Sequence, residues 1–457
     1  MSLHIVILAA GQGKRMHSAL PKVLHTVGGL PMLERVVNTA SALNPDAIHI
    51  IVGHGSDRIL QSLPTFSINW VLQESQQGTG HALMQALPHI PANSMVLVLY
   101  GDVPLIQVDT LQTLISLCAP THQALSLLVA TMNDPTGLGR IVRDVDGKVR
   151  AIVEEKDASL NEQQIKEIYS GICCVKASAL NRWLPHLSND NAQGEYYLTE
   201  IISKAVNEQL PIATLTAKDA MEVQGVNNRL QLQQVERALQ ARLASQFMLA
   251  GVTIADGARV DIRGELTCGT DVFIDVNTIF SGNVFIGDGS QIGANCSLNE
   301  VSIGQHCHIL PNSVLDHCQI GDHCQVGPFA RLRPGTQLAS DCKIGNFVET
   351  KNAVLDAHSK ASHLTYLGDV TIGKNVNIGA GTITCNYDGA HKYQTIIKDG
   401  VFIGSDTQLI APVTVNENAT IAAGSTICKD VPAGGLTLTE AKQKTLPDWI
   451  RPTKEQK

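Results

Sequence analysis

Residues 8–16 read Leu-Ala-Ala-Gly-Gln-Gly-Lys-Arg-Met directly after an apolar run, and residues 20–24 read Leu-Pro-Lys-Val-Leu. Gly11 and Gly13 lack a Cβ, so the backbone there can approach a phosphate chain and turn its N–H groups toward it. Arg15 adds a planar, permanently charged donor fork, and Lys22 adds a second fixed cation. The third glycine of a dinucleotide fingerprint is missing, and no Gly-Lys-Ser/Thr follows as in a Walker A loop. Taken alone, the pattern also fits an ordinary tight turn between strand and helix. Tyr100-Gly101-Asp102 closes a strongly apolar stretch. A lone carboxylate at a strand end beside a phosphate loop suits Mg2+, which needs one or two protein oxygens and takes the rest from water and phosphates. Asn227 is a candidate for the second oxygen, and the plainer reading of Asp102 is an N-cap or turn residue.

These groups need a scaffold that presents strand ends. Residues 1 to about 225 alternate short apolar runs (4–8, 48–52, 95–100, 125–131, 172–175) with amphipathic stretches such as 32–43 and 110–117. That alternation predicts an open, mostly parallel α/β sheet with helices on both faces, which binds ligands beyond the carboxyl ends of its strands. No Gly or Pro occurs between Gly225 and Gly251, and Leu230, Val235, Leu239 and Leu243 recur at helical spacing, so one long connecting helix is expected.

From Gly251 the rhythm changes to sixes. Apolar residues fall at Ile274, Phe280, Ile286, Ile292 and Leu298, at Val326, Leu332, Leu338 and Ile344, and at Ile403, Leu409, Val415, Ile421 and Ile427. Helices repeat at about 3.6 and strands at about 2, so neither generates this period. A parallel β-helix with three short faces per coil does. At about eighteen residues per coil the repeats give roughly ten coils. Spaced at about 4.8 Å, those coils stand on the order of 45–50 Å tall. The rhythm is interrupted near residues 386–392. The domains expected are 1–227, a linker helix 228–250, and 251–457 with a polar tail from Gly434.

Aromatics make up only 4% of the chain while 38 residues are Gly, a mix that suits stacked coils of Val, Ile and Gly. The net charge of −8 and the lack of a polybasic run argue against nucleic acid or anionic membrane as a partner. No apolar run approaches the roughly 18 residues of a membrane span, and the chain enters a strand without a leader pattern, so a cytoplasmic protein is expected. Eleven Cys include Cys318, Cys324 and Cys342 on or near the six-residue grid. His306-Cys307-His308, His317-Cys318 and His323-Cys324 can be read as metal ligands, but no CxxC pair is present, and thiols stacked as small core residues fit better.

The segments LAAGQGKRM, LPKVLH, QESQQGTGHA, YGDVPL, GLGRIV and DNAQGEYYLTE resemble the nucleotide-sugar pyrophosphorylases. With the hexads and LTYLGDVTIGKNVNIGAGTITCNYDG, nearly the whole chain resembles the bifunctional bacterial family that joins a uridyltransferase to a hexapeptide acetyltransferase, an α/β Rossmann-like domain followed by a left-handed parallel β-helix. The resemblance implies acetylation of glucosamine 1-phosphate by acetyl-CoA in the second domain. The first domain would then transfer uridylyl from UTP to N-acetylglucosamine 1-phosphate with Mg2+, releasing pyrophosphate. It implies nucleotide contacts from Leu8, Ala9, Ala10, Gly11, Arg15, Lys22, Gln73, Gly78, Thr79, Tyr100, Gly101 and Asp102, sugar contacts from Gly139, Glu154 and Tyr169, and metal ligation by Asp102 and Asn227. In the β-helix it implies His363 as general base, with Glu349 a candidate to orient it. It implies a sugar-phosphate pocket of Arg333, Lys351, Tyr366, Asn377, Asn386, Tyr387 and Lys392, and acetyl-CoA contacts at Ala380, Ser405 and Ala423. A homotrimer with acetyl-CoA between neighbours follows as well.

The chain departs from the family pattern at three positions. Lys14 stands where Thr is usual. Tyr169 stands where Asn is usual, its phenol still able to donate to a sugar hydroxyl. Glu440 stands where Arg is usual, leaving Lys442 or Lys444 to meet the CoA phosphates. Two other readings compete: a pyrophosphorylase for another sugar whose β-helix serves only assembly, and a non-catalytic regulatory subunit. His363, Lys351 and Asn377 argue against the first. Arg15, Lys22, Asp102 and Asn227 argue against the second, because a regulatory protein has no need of a metal carboxylate there.

Overall fold

The structure, a computed structural model, describes residues 2–53, 55–63, 66–119, 123–440 and 443–451. The chain folds as two compact units, residues 1–241 and 242–457.

In the first unit a sheet runs in the order Ile212–Thr216, Leu125–Thr131, Glu167–Lys176, Met95–Tyr100, Leu3–Leu8, Ala47–Val52, Asn69–Leu72. All neighbours are parallel except Glu167–Lys176, which runs antiparallel to both of its neighbours. Strand Leu3–Leu8 pairs with Ala47–Val52 on one side and Met95–Tyr100 on the other, so the chain reverses its direction of travel across the sheet here. Such a switch point opens a crevice past the carboxyl ends of the two strands, where residues 8–16 and 100–102 emerge. Alternate side chains serve opposite faces: Ile5 and Ile7 pack with Leu33, Val36 and Val37, while Val6 and Leu8 pack with Leu83 and Ala86. Helix Arg229–Leu249 follows, and among the described residues no helix is long and apolar enough to cross a membrane.

At the opposite end of the same strands His4 and His49 are buried, and His4 Nδ1 lies 3.1 Å from His49 Nε2. His89 stacks on His49 at 6.5 Å between ring centroids. His49 Nδ1 is buried without a hydrogen-bond partner. Burial, with the charges of His4 and His89 behind it, pushes His49 down to about 4.

The second unit is a parallel β-helix. Eleven short strands stack on one face, from Thr253–Ile254 to Leu436–Thr437. Longer strands such as Thr278–Ile286 bend around a corner and serve two faces. Every residue of the six-residue grid named above points inward and is at most 4% exposed. Lys343, Lys360 and Asn377 succeed one another at 17 residues, as register partners on adjacent coils. Phe402 follows Asn377 by 25, because the chain leaves the coil through the segment that breaks the rhythm.

Most corners turn on a residue with positive φ. One corner carries Asn277, Asn295, Asn312, Phe329, Phe347, Leu364, Gly381, Asp406 and Gly424 in successive coils. Asn, Asp and Gly tolerate this conformation, whereas bulky residues rarely adopt it. Cys307, Cys324 and Cys342 are inward-facing thiols that donate to the carbonyls of Gly321, Ala339 and Asp356 at 3.0, 3.0 and 3.2 Å. They fill places that Ser290 and Ser359 take elsewhere in the same stack. Glu440 and Lys444 are exposed on the tail, and Lys442 lies outside the described residues.

The buried histidines set an acid limit for the first unit. A folded-state pKa below the unfolded value of 6.5 means that neutral His49 contributes stability that is fully present above pH 6.5. That contribution is lost as pH falls toward about 4, and it amounts to at most about 3 kcal/mol. Urea unfolding read through buried Trp183 should show this loss, and His49→Gln should flatten it. A variant with an unchanged pH slope would remove His49 from the account.

Candidate active sites

A cavity of about 670 Å3 opens at the switch point of the first unit. Of the residues expected to bind nucleotide, Leu8, Ala9, Ala10, Gly11, Lys22, Gln73, Gly78, Thr79, Tyr100 and Asp102 line it, and so does Asn227. Gly13 sits at φ +60 with Lys22 Cβ 2.7 Å from where its own Cβ would stand, so a larger residue would push away the lysine that enters the cavity. Lys22 forms an ion pair with Asp102 and donates from Nζ to Asn227 Oδ1 at 3.2 Å. Residues 205 positions apart in the chain thus meet through one ammonium. The backbone maintains the meeting: Val226 N–H donates to the Asp102 carbonyl at 3.0 Å, and Asn227 N–H to Gln231 Oε1 at 2.8 Å.

Other expected residues stand elsewhere. Arg15 is exposed and does not line the cavity, whereas Lys14 does. Successive side chains on the 3-10 turn Lys14–Met16 point about 120° apart, so one cation turns in and the next turns away. Gly101 lies beneath the lining, against Leu33, Val23 and Ala9. Gly139 and Glu154 adjoin each other outside the lining. Thr199 Oγ1 donates to Glu154 at 3.3 Å, and burial raises that carboxyl above the usual carboxylate range. Tyr169 packs in the core, and its phenol donates to the Gly171 carbonyl at 2.7 Å. Its strand neighbours Ile168 and Ser170 line the cavity, because alternate residues of a strand face opposite ways. Gln73 is buried and donates to the Gly78 carbonyl at 3.3 Å, so part of the amide expected to read a base is engaged within the protein. Gln76 and Glu195 also line the cavity. They lay within the quoted motifs but had no spacing signal of their own.

In the β-helix the expected acetyltransferase residues fall on neighbouring coils. Asn346 pairs with His363 in register, and Ala380, Ser405 and Ala423 each precede the positive-φ residue of the next coils at that corner. One vertical row therefore holds Asn346, His363, Ala380, Ser405 and Ala423. Backbone bonds tie it together: Leu364 N–H donates to the Asn346 carbonyl at 3.1 Å, Asp406 N–H to Ala380 at 2.7 Å, and Gly424 N–H to Ser405 at 2.8 Å. Arg333 and Lys351 follow the paired residues Leu332 and Thr350 on the adjoining face. The interrupting segment brings a third cation. Tyr387 and Lys392 form an antiparallel bridge, and Asn386 donates to Asp369, which also accepts from Asn352 at 2.7 Å. Lys392, with Arg333 reinforcing it, lowers the pKa of Lys351 below the usual lysine range. Tyr366 and Asn377 are half-buried on the coils between. Glu349 does not meet His363. Arg333 Nη1 donates to Glu349 Oε1 at 2.7 Å, while His363 Nδ1 lies 2.8 Å from Asn346 Oδ1. Residue 349 belongs to the next face, in register with Arg331 and Tyr366, so the corner separates it from the imidazole.

A phosphate-binding turn at the switch point of a parallel sheet, and a triangular β-helix with a cation-rich corner, define a nucleotidyltransferase joined to a hexapeptide transferase. Residues 5–166 match the MobA-like NTP transferase domain, and residues 300–334, 317–352 and 394–429 match bacterial transferase hexapeptide repeats. The β-helix is of the left-handed kind. The bifunctional protein GlmU of Legionella pneumophila (strain Lens) is 62% identical over 100% of both chains. The protein of the same name from Marinobacter nauticus is 54% identical over 99% of both chains, and that from Cupriavidus pinatubonensis 52% over 100% of both. The chain belongs to the bifunctional GlmU family, and it is a uridylyltransferase and acetyltransferase.

The inward turn of Tyr169 has a measurable outcome. Tyr169→Phe should cost about 1 kcal/mol of stability by removing a buried hydrogen bond, while the KM for the sugar phosphate stays within about twofold. A tenfold rise in that KM would restore the phenol to the sugar site.

Proposed function

We propose that the chain makes UDP-N-acetylglucosamine in two steps at these two separate sites. In the β-helix, glucosamine 1-phosphate enters with its phosphate toward Arg333, Lys351 and Lys392. The crowding of three cations supports this reading, because a dianion relieves their mutual repulsion. The thioester arm of acetyl-CoA runs along the row of small residues Ala380, Ser405 and Ala423. The sugar amine attacks the thioester carbonyl, His363 takes its proton, and the thiolate of CoA leaves.

In the first unit N-acetylglucosamine 1-phosphate attacks the α-phosphorus of UTP and pyrophosphate departs. The residues act chiefly by positioning and charge neutralisation. The lining residues hold the nucleotide, and Lys22 and Lys14 supply positive charge. Asp102 and Asn227 fit Mg2+: their oxygens already converge on one positive charge, and an ion with few protein ligands completes its shell from phosphates and water. Bound there, the ion would neutralise charge on the phosphates. Gly139 and Glu154, outside the lining, and Ser170 in the cavity wall are the residues we assign to the sugar.

The reading extends to a cytoplasmic homotrimer. Phe329, Phe347 and Leu364 are 49, 55 and 63% exposed although apolar, and all three hold positive φ. The two rings stack at 5.3 Å. An exposed apolar ladder in an unfavourable backbone conformation supports a neighbouring copy that covers it.

The observation that carries the two-site reading is that each unit has its own assembled constellation. Asp102→Ala should lower uridylyl transfer at least ~100-fold and leave CoA release intact, and His363→Ala should do the reverse. Loss of both activities in either folded variant would sink the assignment. Phe347→Glu should shift sedimentation from trimer to monomer. An unchanged trimer would place the interface elsewhere.

A further inference from the structure

We infer that Asn346 is a positioning residue for acetyl transfer: its side-chain amide fixes which ring nitrogen of His363 is free to take the proton from the attacking amine. The inference rests on the reading of His363 as the base.

The contact is built into the fold. Strands Lys343–Asn346 and Lys360–His363 are parallel and in register, with Ile344 opposite Ala361 and Asn346 opposite His363. They approach closely because residue 345 is Gly: a Cβ there would lie 2.0 Å from the Ser362 carbonyl oxygen. Thr365 Oγ1 donates to the His363 carbonyl at 2.6 Å, and Leu364 N–H donates to the Asn346 carbonyl at 3.1 Å, so both backbones are fixed. With the main chain set, His363 Nδ1 meets Asn346 Oδ1 at 2.8 Å. An amide oxygen can only accept, so Nδ1 carries the hydrogen and the lone pair of neutral imidazole is left on Nε2.

The choice of an amide also has an electrostatic consequence. A carboxylate beside Nδ1–H would stabilise imidazolium and raise the pKa of the base, whereas a neutral amide orients the ring without adding charge. The other neighbour in the corner row, Ala380, is uncharged. The charged side chains on the strands flanking this corner are Lys343, Lys360, Glu349, Lys351 and Asp369; Glu349 is held by Arg333, and Asp369 accepts from Asn352 and Asn386.

The test uses the full-length protein and follows CoA release against pH. Asn346→Asp is nearly isosteric and keeps an acceptor. It should move the acidic limb of the kcat/KM profile upward by about one pH unit. Asn346→Leu removes the acceptor and should lower kcat about tenfold or more while the KM for acetyl-CoA stays within about twofold. Thermal melting of both variants checks the fold, and the Asp variant carries the test if the Leu variant melts early. A profile for Asn346→Asp that superposes on the parent, with Asn346→Leu within twofold in kcat, would overturn the role of Asn346. His363→Ala is run alongside: retained acetyl transfer there would overturn the reading of His363 itself, a separate failure.

Discussion

The β-helix depends on a backbone constraint at its corners. Three times per coil the chain must turn through nearly 120° while its N–H groups still reach the coil below, and a residue of positive φ makes most of these turns. Asn and Asp meet the requirement at little cost, and their side chains bond to the equivalents above and below, as Asn277 does to Asn295 at 2.8 Å. Because the turn recurs at fixed places, residues 17 or 18 apart are stacked on one another. That stacking brings together residues such as Asn346, His363 and Ala380, which share no local motif. Chemistry at a corner is inherited from the register of the coils, and the register in turn from the inward apolar residue of each face.

The first unit reaches the same end by different means. Its cations come from two 3-10 turns that follow the first strand, its oxygens from a strand end and from a residue just before the long helix, and they meet at a topological switch point. The Lys22 ammonium between Asp102 and Asn227 is the simplest expression of this convergence. Two oxygen ligands left facing each other would repel, and an ammonium of the protein's own satisfies both. A divalent cation held by Asp102 and Asn227 would take the place of this ammonium and leave its charge free for phosphate.

Much of this architecture was legible in the sequence. The period of six identified inward residues that are all buried, and the break near residues 386–392 marked the one long excursion of the stack. The run without Gly or Pro after Gly225 became helix Arg229–Leu249. What escaped was orientation. Sequence carries period and residue type, but not which way a side chain leaves the backbone at an irregular place. Tyr169 in its strand and Arg15 on its 3-10 turn were each one position from residues that do face the cavity. Glu349 was the chemically attractive partner for His363, yet a corner of the coil separates them and an amide stands in its place. Gln76, Glu195 and Ser170 had no distinguishing spacing, because a cavity wall gathers residues by proximity in space.

The excursion between Asn377 and Phe402 leaves and rejoins the stack without disturbing it: Ile378 still pairs with Ile403 as though nothing intervened. Each coil touches only those directly above and below, so an outward loop is a nearly independent appendage whose cost of closure rises slowly with length. Lys392 rides on that appendage. Substrate preference in such a molecule can drift through lengthening, shortening or rewriting a single protrusion, while the column beneath remains untouched.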